Sequence, residues 1–250
     1  MAKFAATLLA TVLLAGHAVA AEPLKLGFVA PMSGAQAEYG LQMMNGMKTF
    51  MAQNGDSVAG RDVEIIVKDS GGPNPDVAKR LTQELIVRDK VDFLIGYGFS
   101  PNAFAAAPLA TESETPLVIF NAATSSIPTK SPFIARVSMT LAQHAYGIAK
   151  WANGKDIKTV YTLYADYAPG RDANAQFTKI FTEGGGEIVG EIGVPLSSPD
   201  FGPYMQRIKD AKPDAIFMWF PSGELANTML KAYRARGLDV GGDVVDEEHL

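Results

Sequence analysis

Five short segments gather the side chains that could do chemistry, and each follows an apolar run. Ser33, Gly34 and Tyr39 follow the first run. Gly96-Tyr97-Gly98-Phe99-Ser100-Pro101-Asn102 and Asn121-Ala122-Ala123-Thr124-Ser125-Ser126 follow two others, and Asp166-Tyr167 and Phe220-Pro221-Ser222-Gly223-Glu224 lie in the second half of the chain. Small residues leave backbone N–H groups open, hydroxyls add donors, and a helix N-terminus adds partial positive charge. Together these hold a carboxylate well. The interleaved aromatics Tyr39, Phe99, Tyr167 and Phe220 suit the apolar body of such a ligand. This is binding chemistry.

Catalytic patterns are missing from the same loops. No Gly-x-x-x-x-Gly-Lys-Ser/Thr phosphate loop and no Gly-x-Ser-x-Gly elbow occur. Gly96-x-Gly98 has Pro101 where a dinucleotide fingerprint needs its third glycine. Asp69-Ser70-Gly71-Gly72 lacks the spacing of a calcium loop. With no Cys and only three His, at 17, 144 and 249, a thiolate nucleophile, a disulfide framework and a multi-His metal site are excluded. The pattern calls for no metal, no cofactor and no catalytic residue. A formal charge of −5, from 22 basic and 27 acidic residues, argues against a nucleic-acid partner.

The elements that must carry these loops alternate between strand and helix. Leu24–Val29, Val63–Val67, Phe93–Ile95 and Leu117–Phe120 read as buried strands. Between them, Leu41, Met44, Met47 and Met51 mark one helix face, and Val77, Leu81 and Leu85 mark another behind the Asn74-Pro75 start. A helix over Asn102–Ser113 contains Pro108, which weakens or kinks it. A second unit begins near Ile157. Its strands are Thr159–Tyr164, Ile188–Val194 and Ala215–Phe220. Its helices carry Ala173, Phe177, Ile180 and Phe181, then Phe201, Tyr204, Met205 and Ile208 after Ser198-Pro199-Asp200, and finally Gly223–Arg236. Apolar strands separated by helices give parallel sheets covered on both faces.

The two halves repeat their punctuation in the same order. Leu24-Lys25 answers Ile157-Lys158, Tyr39-Gly40 answers the Tyr167–Gly170 segment, Asn74-Pro75-Asp76 answers Ser198-Pro199-Asp200, and Lys90-Val91-Asp92 answers Lys212-Pro213-Asp214. The expected architecture is therefore α/β, with two similar doubly wound parallel-sheet lobes. The first residues read as an export signal: Lys3, the apolar run Phe4–Ala15, then Ala18-Val19-Ala20 for cleavage after residue 20. Export without Cys fits the bacterial periplasm.

The segments PLKLGFVAPMSGAQAEYG, VKDSGGPNPDVAKRLTQELI, DFLIGYGFSPN, NAAT and DAKPDAIF together resemble the leucine/isoleucine/valine-binding protein family, the type I periplasmic solute receptors of ABC importers. The resemblance implies a two-lobed clamshell. It also implies that Tyr39 covers the ligand, that Ser100, Ala122 and Thr124 hold its polar head, and that Tyr167 closes from the second lobe. Further contacts fall near Phe220 to Ser222 and at Asp243. A tyrosine usual in amino-acid binders is replaced by Pro221-Ser222, which admits an aromatic acid beside a hydrophobic amino acid. The implied partners are a small carboxylate ligand and a membrane permease. A ligand-sensing receptor domain and an envelope α/β enzyme are the competing readings.

The expected organisation is a signal peptide over 1–20, a first lobe over 21–139, a second over 140–243, and the start of a return crossing over 244–250. Members of the resembled family return to the first lobe after the second. The sequence is accordingly expected to be a C-terminally truncated member, with its first lobe incomplete.

Overall fold

The computed structural model describes residues 21–197 and 200–238. The expected export signal, Ser198-Pro199, Asp243 and the expected return crossing lie outside them.

The first lobe holds a six-stranded sheet in the order β2-β3-β1-β4-β5-β6. Its strands are β1 (Leu24–Ala30), β2 (Ser57–Val58), β3 (Arg61–Asp69), β4 (Phe93–Gly96), β5 (Leu117–Ile119) and β6 (Ile134–Arg136). All neighbours pair in parallel except β2, which folds back on β3. Alternation along the strands separates two faces. Val29, Leu94, Leu117 and Ile119 pack beneath α2 (Pro75–Val87) and α3 (Ser100–Glu112), while Phe28, Ala30 and Ile95 meet Met44 of α1 (Ala37–Asn54). Helix α2 forms where its caps dictate: the Val77 N–H donates to the Asn74 side chain at 3.2 Å, and Pro75 occupies the first turn.

The second lobe holds a three-stranded parallel sheet in the order β8-β7-β9, formed by β7 (Thr159–Ala165), β8 (Glu187–Val194) and β9 (Ala215–Trp219). Helices α4 (Leu141–Asn153) and α5 (Ala168–Glu183) bury Ala149, Val160, Phe177, Phe181 and Phe217 on one face. Helices α6 (Gly202–Ala211) and α7 (Glu224–Ala235) bury Leu163, Phe201, Met205 and Ile208 on the other. Both lobes are thus covered on both faces, as the apolar strands require.

Two local expectations are corrected. Helix α3 starts at Ser100, not Asn102, because Phe99 is extended and Pro101 fits the first turn. Pro108 lies inside α3, as the sequence reading placed it. Helix α6 starts at Gly202, two residues beyond Asp200, whose side chain accepts from the Gly202 N–H at 2.9 Å. Two elements were not anticipated. The β2–β3 hairpin turns through Ala59 and Gly60 at positive φ. Helix α4 is opened by a reciprocal capping box between Thr140 and Gln143.

Candidate functional site

In the first lobe β1 lies between β3 and β4, so the crossovers to its two neighbours run to opposite sides of it. The crevice at such a switch point is where open α/β sheets bind ligands. Its loops are tightly organised. Asp69, at the end of β3, accepts from the Met32 N–H at 2.7 Å and the Gly71 N–H at 2.8 Å. Burial pushes this carboxyl up, but hydrogen bonds from the Ser33 side chain and from the N–H groups of Met32, Gly71 and Ser33 outweigh it and hold the group below the ordinary carboxylate range. Asn102 reaches from α3 to donate to the Gly72 carbonyl at 2.9 Å.

The segment after β4 is held in an uncommon conformation. Tyr97 has φ of 55°, left-handed for a bulky residue, and is fully buried. Three bonds hold it there. Its N–H donates to the Val29 carbonyl at 2.7 Å, its carbonyl accepts from the Ala122 N–H at 3.1 Å, and its hydroxyl meets that of Thr82 at 2.7 Å. Burial pushes the Tyr97 hydroxyl far up, so it stays protonated. This anchor sets the next three residues and places Ser100 at the start of α3. There Ser100 Oγ accepts from the Thr124 hydroxyl at 2.8 Å and the Thr124 N–H at 3.3 Å. Ser100 keeps its own hydroxyl proton for a further acceptor, beside the free N–H groups that open any helix.

Aromatic walls face each other from the two lobes. Tyr39 packs edge-on against Phe99 with ring centroids 5.7 Å apart, and Tyr167 packs on Trp219 at the same 5.7 Å. Burial pushes the Tyr167 hydroxyl up, and the nearby Tyr39 hydroxyl pushes it further. Between the walls is a cleft of ≈ 440 Å³. The first lobe lines it with Ala35, Gln36, Pro73 and Phe99, and the second with Tyr167, Leu196, Phe201, Pro221, Ser222, Glu224, Leu225 and Thr228. No Lys, Arg or His is among these lining residues.

The anticipated site residues therefore divide. Phe99, Tyr167 and Ser222 line the cleft, and Tyr39 abuts it through Phe99. Ser100 and Thr124 are joined to each other, but at 1% and 6% exposure they lie behind the lining rather than in it. Ala122 is buried and acts through its backbone on Tyr97. Asn102 spends its amide on the Gly72 loop, and Phe220 packs against Phe201 at 5.7 Å instead of lining the cleft. Sequence reading missed Gln36, Pro73, Leu196, Trp219, Leu225 and Thr228 as neighbours of the site. Trp219 ends an apolar strand, where an aromatic reads as core. Thr228 had a legible signal, since it lies one helical turn beyond Glu224 on α7.

Comparison with known proteins bears on the whole arrangement. Residues 23–245 match the family described as Periplasmic binding protein. The Leu/Ile/Val-binding protein homolog 6 of Brucella abortus is 40% identical over 242 residues, covering 97% of this chain and 62% of that protein. A solute-binding protein of an ABC transporter from Rhodopseudomonas palustris BisB5, solved in complex with 3,4-dihydroxybenzoic acid, is 51% identical with a TM-score of 0.81. The match covers 87% of this chain and 59% of that one. Another from R. palustris, solved with 4-hydroxybenzoate, is 43% identical with a TM-score of 0.84 and the same coverage of 87% and 59%. The chain thus spans about 62% of the length of the curated relative it matches.

Proposed function

Because the chain belongs to the periplasmic binding protein family, we propose that it captures a small aromatic carboxylate between two lobes and delivers it to an ABC importer in the periplasm. Its fold is the type I periplasmic-binding fold, and the family is one of binding proteins rather than enzymes. In this reading the lobes meet near residues 139 and 140 and part to admit the ligand, as periplasmic binding proteins do as a class. The carboxylate is held by the Ser100 hydroxyl, the Thr124 loop and the N-terminus of α3. The ring lies between Phe99 and Tyr167.

The observation that carries the proposal is the cleft itself. Aromatic rings from both lobes enclose it, no cationic side chain among the described residues lines it, and the hydroxyl pair at the start of α3 stands just behind Phe99. A flat anion with an apolar ring suits these walls better than a sugar or a polyamine. The hydroxybenzoates bound by the two R. palustris proteins support an aromatic acid. The curated relative's name supports a branched-chain amino acid instead.

A thermal-shift comparison of 4-hydroxybenzoate, benzoate and leucine separates the two. A ligand present at 100 times its dissociation constant adds roughly 2.7 kcal/mol of stability. Stabilisation by the two benzoates and not by leucine is expected, and the reverse pattern overturns the aromatic reading.

A further inference from the structure

We propose that Asp172 is a positioning residue of the ligand site: a carboxylate of the second lobe that grips the Thr124 loop of the first lobe and ties that loop to the closing of the cleft. The inference rests on the reading of Thr124 as a ligand contact.

Asp172 is the fifth residue of α5, too far into the helix to cap its own N-terminus. Its carboxylate turns to the other lobe. Asp172 Oδ2 accepts from the Ser125 N–H at 2.9 Å and from the Ser125 hydroxyl at 2.8 Å, across 47 residues of sequence. Bonds to an ionised acceptor at these lengths are the stronger kind. On the far side of the same loop, Arg136 donates from Nη1 to the Thr124 carbonyl at 2.8 Å and lies within the field of Asp172. Ala123 packs against the apolar cluster of α4 and α5, and its carbonyl accepts from the Leu141 N–H at 3.0 Å. Residues 123–125 are therefore shared. Thr124 faces Ser100 of the first lobe, while its two neighbours are held by the second.

The consequence is mechanical. Asp172 and Tyr167 belong to one rigid segment at the start of α5. When that helix moves with its lobe, the loop that presents Thr124 moves or is released with it. Because Asp172 touches the loop and not the cleft, its loss weakens every ligand that uses Thr124 by the same factor. A residue contacting the ligand discriminates among ligands instead.

The test uses two readouts on the whole chain. The sequence has no Cys, so Lys79→Cys and Glu183→Cys on the two lobes accept a spin-label pair without background. The interlobe distance is measured with no small molecule added, and 4-hydroxybenzoate, benzoate and leucine are then titrated. Asp172→Ala is expected to broaden the distance distribution and weaken each binding probe by about tenfold. Asp172→Asn keeps an oxygen that accepts from both Ser125 donors and is expected to restore most of both properties. Ser125→Ala removes only the hydroxyl donor, is expected to give a partial effect, and serves in place of Asp172→Ala if that variant does not fold. An unchanged distance distribution in Asp172→Ala, or in Ser125→Ala where it stands in, overturns the proposal, as does an affinity loss that differs strongly between probes. If the parent chain binds none of the probes, the ligand reading fails separately, and the distance measurement alone upholds or overturns the tie.

Discussion

In the first lobe Asp92 accepts from the Lys25 N–H at 2.8 Å and returns its own N–H to the Lys25 carbonyl at 2.9 Å. In the second, Asp214 accepts from the Lys158 N–H at 2.9 Å and returns its N–H to the Thr159 carbonyl at 3.0 Å. Each aspartate follows a lysine in the left-handed region two residues earlier, Lys90 at φ 52° and Lys212 at φ 48°. Each central strand is flanked on both sides in the same order, β3-β1-β4 and β8-β7-β9. What differs is the strand ends that face the cleft. The first lobe buries hydroxyls and an amide there, Ser100, Thr124 and Asn102. The second presents Tyr167 and Trp219. The repeated frame carries unlike tips: behind its aromatic pair Tyr39 and Phe99 the first lobe keeps the polar groups that, in the proposed reading, take a charged head, while Tyr167 of the second covers the rest. Each half of that comparison can be broken separately.

The largest effect is expected where the frame leaves no room. A Cβ on Gly40 would lie 2.2 Å from the Pro31 carbonyl oxygen, and a Cβ on Gly170 would lie 2.0 Å from that of Ala165. In both lobes the helix that follows the central strand rests on the backbone just at or past that strand's end. Gly40→Ala and Gly170→Ala should each destabilise by about 3 kcal/mol, at the top of the range for overpacking. Denaturant unfolding checks this. If one variant is tolerated and the other is not, the equivalence of the frames is broken.

This pairing was visible in the sequence as Tyr39-Gly40 against Tyr167–Gly170, and so were the strands, because fully buried parallel strands are continuous apolar runs. Lys90-Val91-Asp92 against Lys212-Pro213-Asp214 was legible for the same reason: the turn needs those residue types wherever it recurs. Helix α4 was not read, although Thr140-Leu141-x-Gln143 carries its cap and Leu141, Ala145, Ala149 and Ala152 are its buried residues. The site was half legible. Residues following strands could be ranked by chemistry, but which of them line a cleft depends on how two lobes meet. No local pattern encodes that Leu196 and Phe201 approach Pro73 and Gln36.

The second prediction separates the tips. Thr124→Val removes the hydroxyl that donates to Ser100 and should cost about 1–3 kcal/mol of affinity where it meets a buried charge. Tyr167→Phe keeps the ring against Trp219 and should cost under about 1 kcal/mol. Calorimetric titration with 4-hydroxybenzoate measures both. The opposite order would mean that the second lobe, not the first, takes the charged head.

A smaller difference is expected from the paired aspartates. The Lys25 N–H and then, against burial, the Arg61 guanidinium hold Asp92 below the ordinary 3.8. The N–H groups of Lys158 and Thr159 and the Thr159 hydroxyl hold Asp214 below the same value. A carboxyl whose folded pKa is depressed contributes its stability fully above about pH 4 and loses it as pH falls through the lower, folded value. The parent should therefore weaken as pH drops below about 4, and Asp92→Asn and Asp214→Asn should each flatten that decline. Asp92→Asn should lower the melting temperature more at pH 7, because Asp92 also pairs with Arg61 at 3.0 Å.

The smallest effect belongs to Glu224, the acidic side chain among the cleft's lining residues. It is exposed in the first turn of α7, where the helix N-terminus favours negative charge, yet it lines the cleft. A ligand carboxylate bound in the first lobe would be repelled through water, by roughly 0.5 kcal/mol if the two charges stood about 8 Å apart. Glu224→Gln should accordingly tighten benzoate about twofold at low salt, and the gain should fade at about 1 M salt, where the screening length is only about 3 Å. The direction of the change sharpens the contrast between the lobes. Weaker binding of 4-hydroxybenzoate with unchanged benzoate would show that Glu224 accepts from the ring hydroxyl. The second lobe would then carry a polar tip of its own.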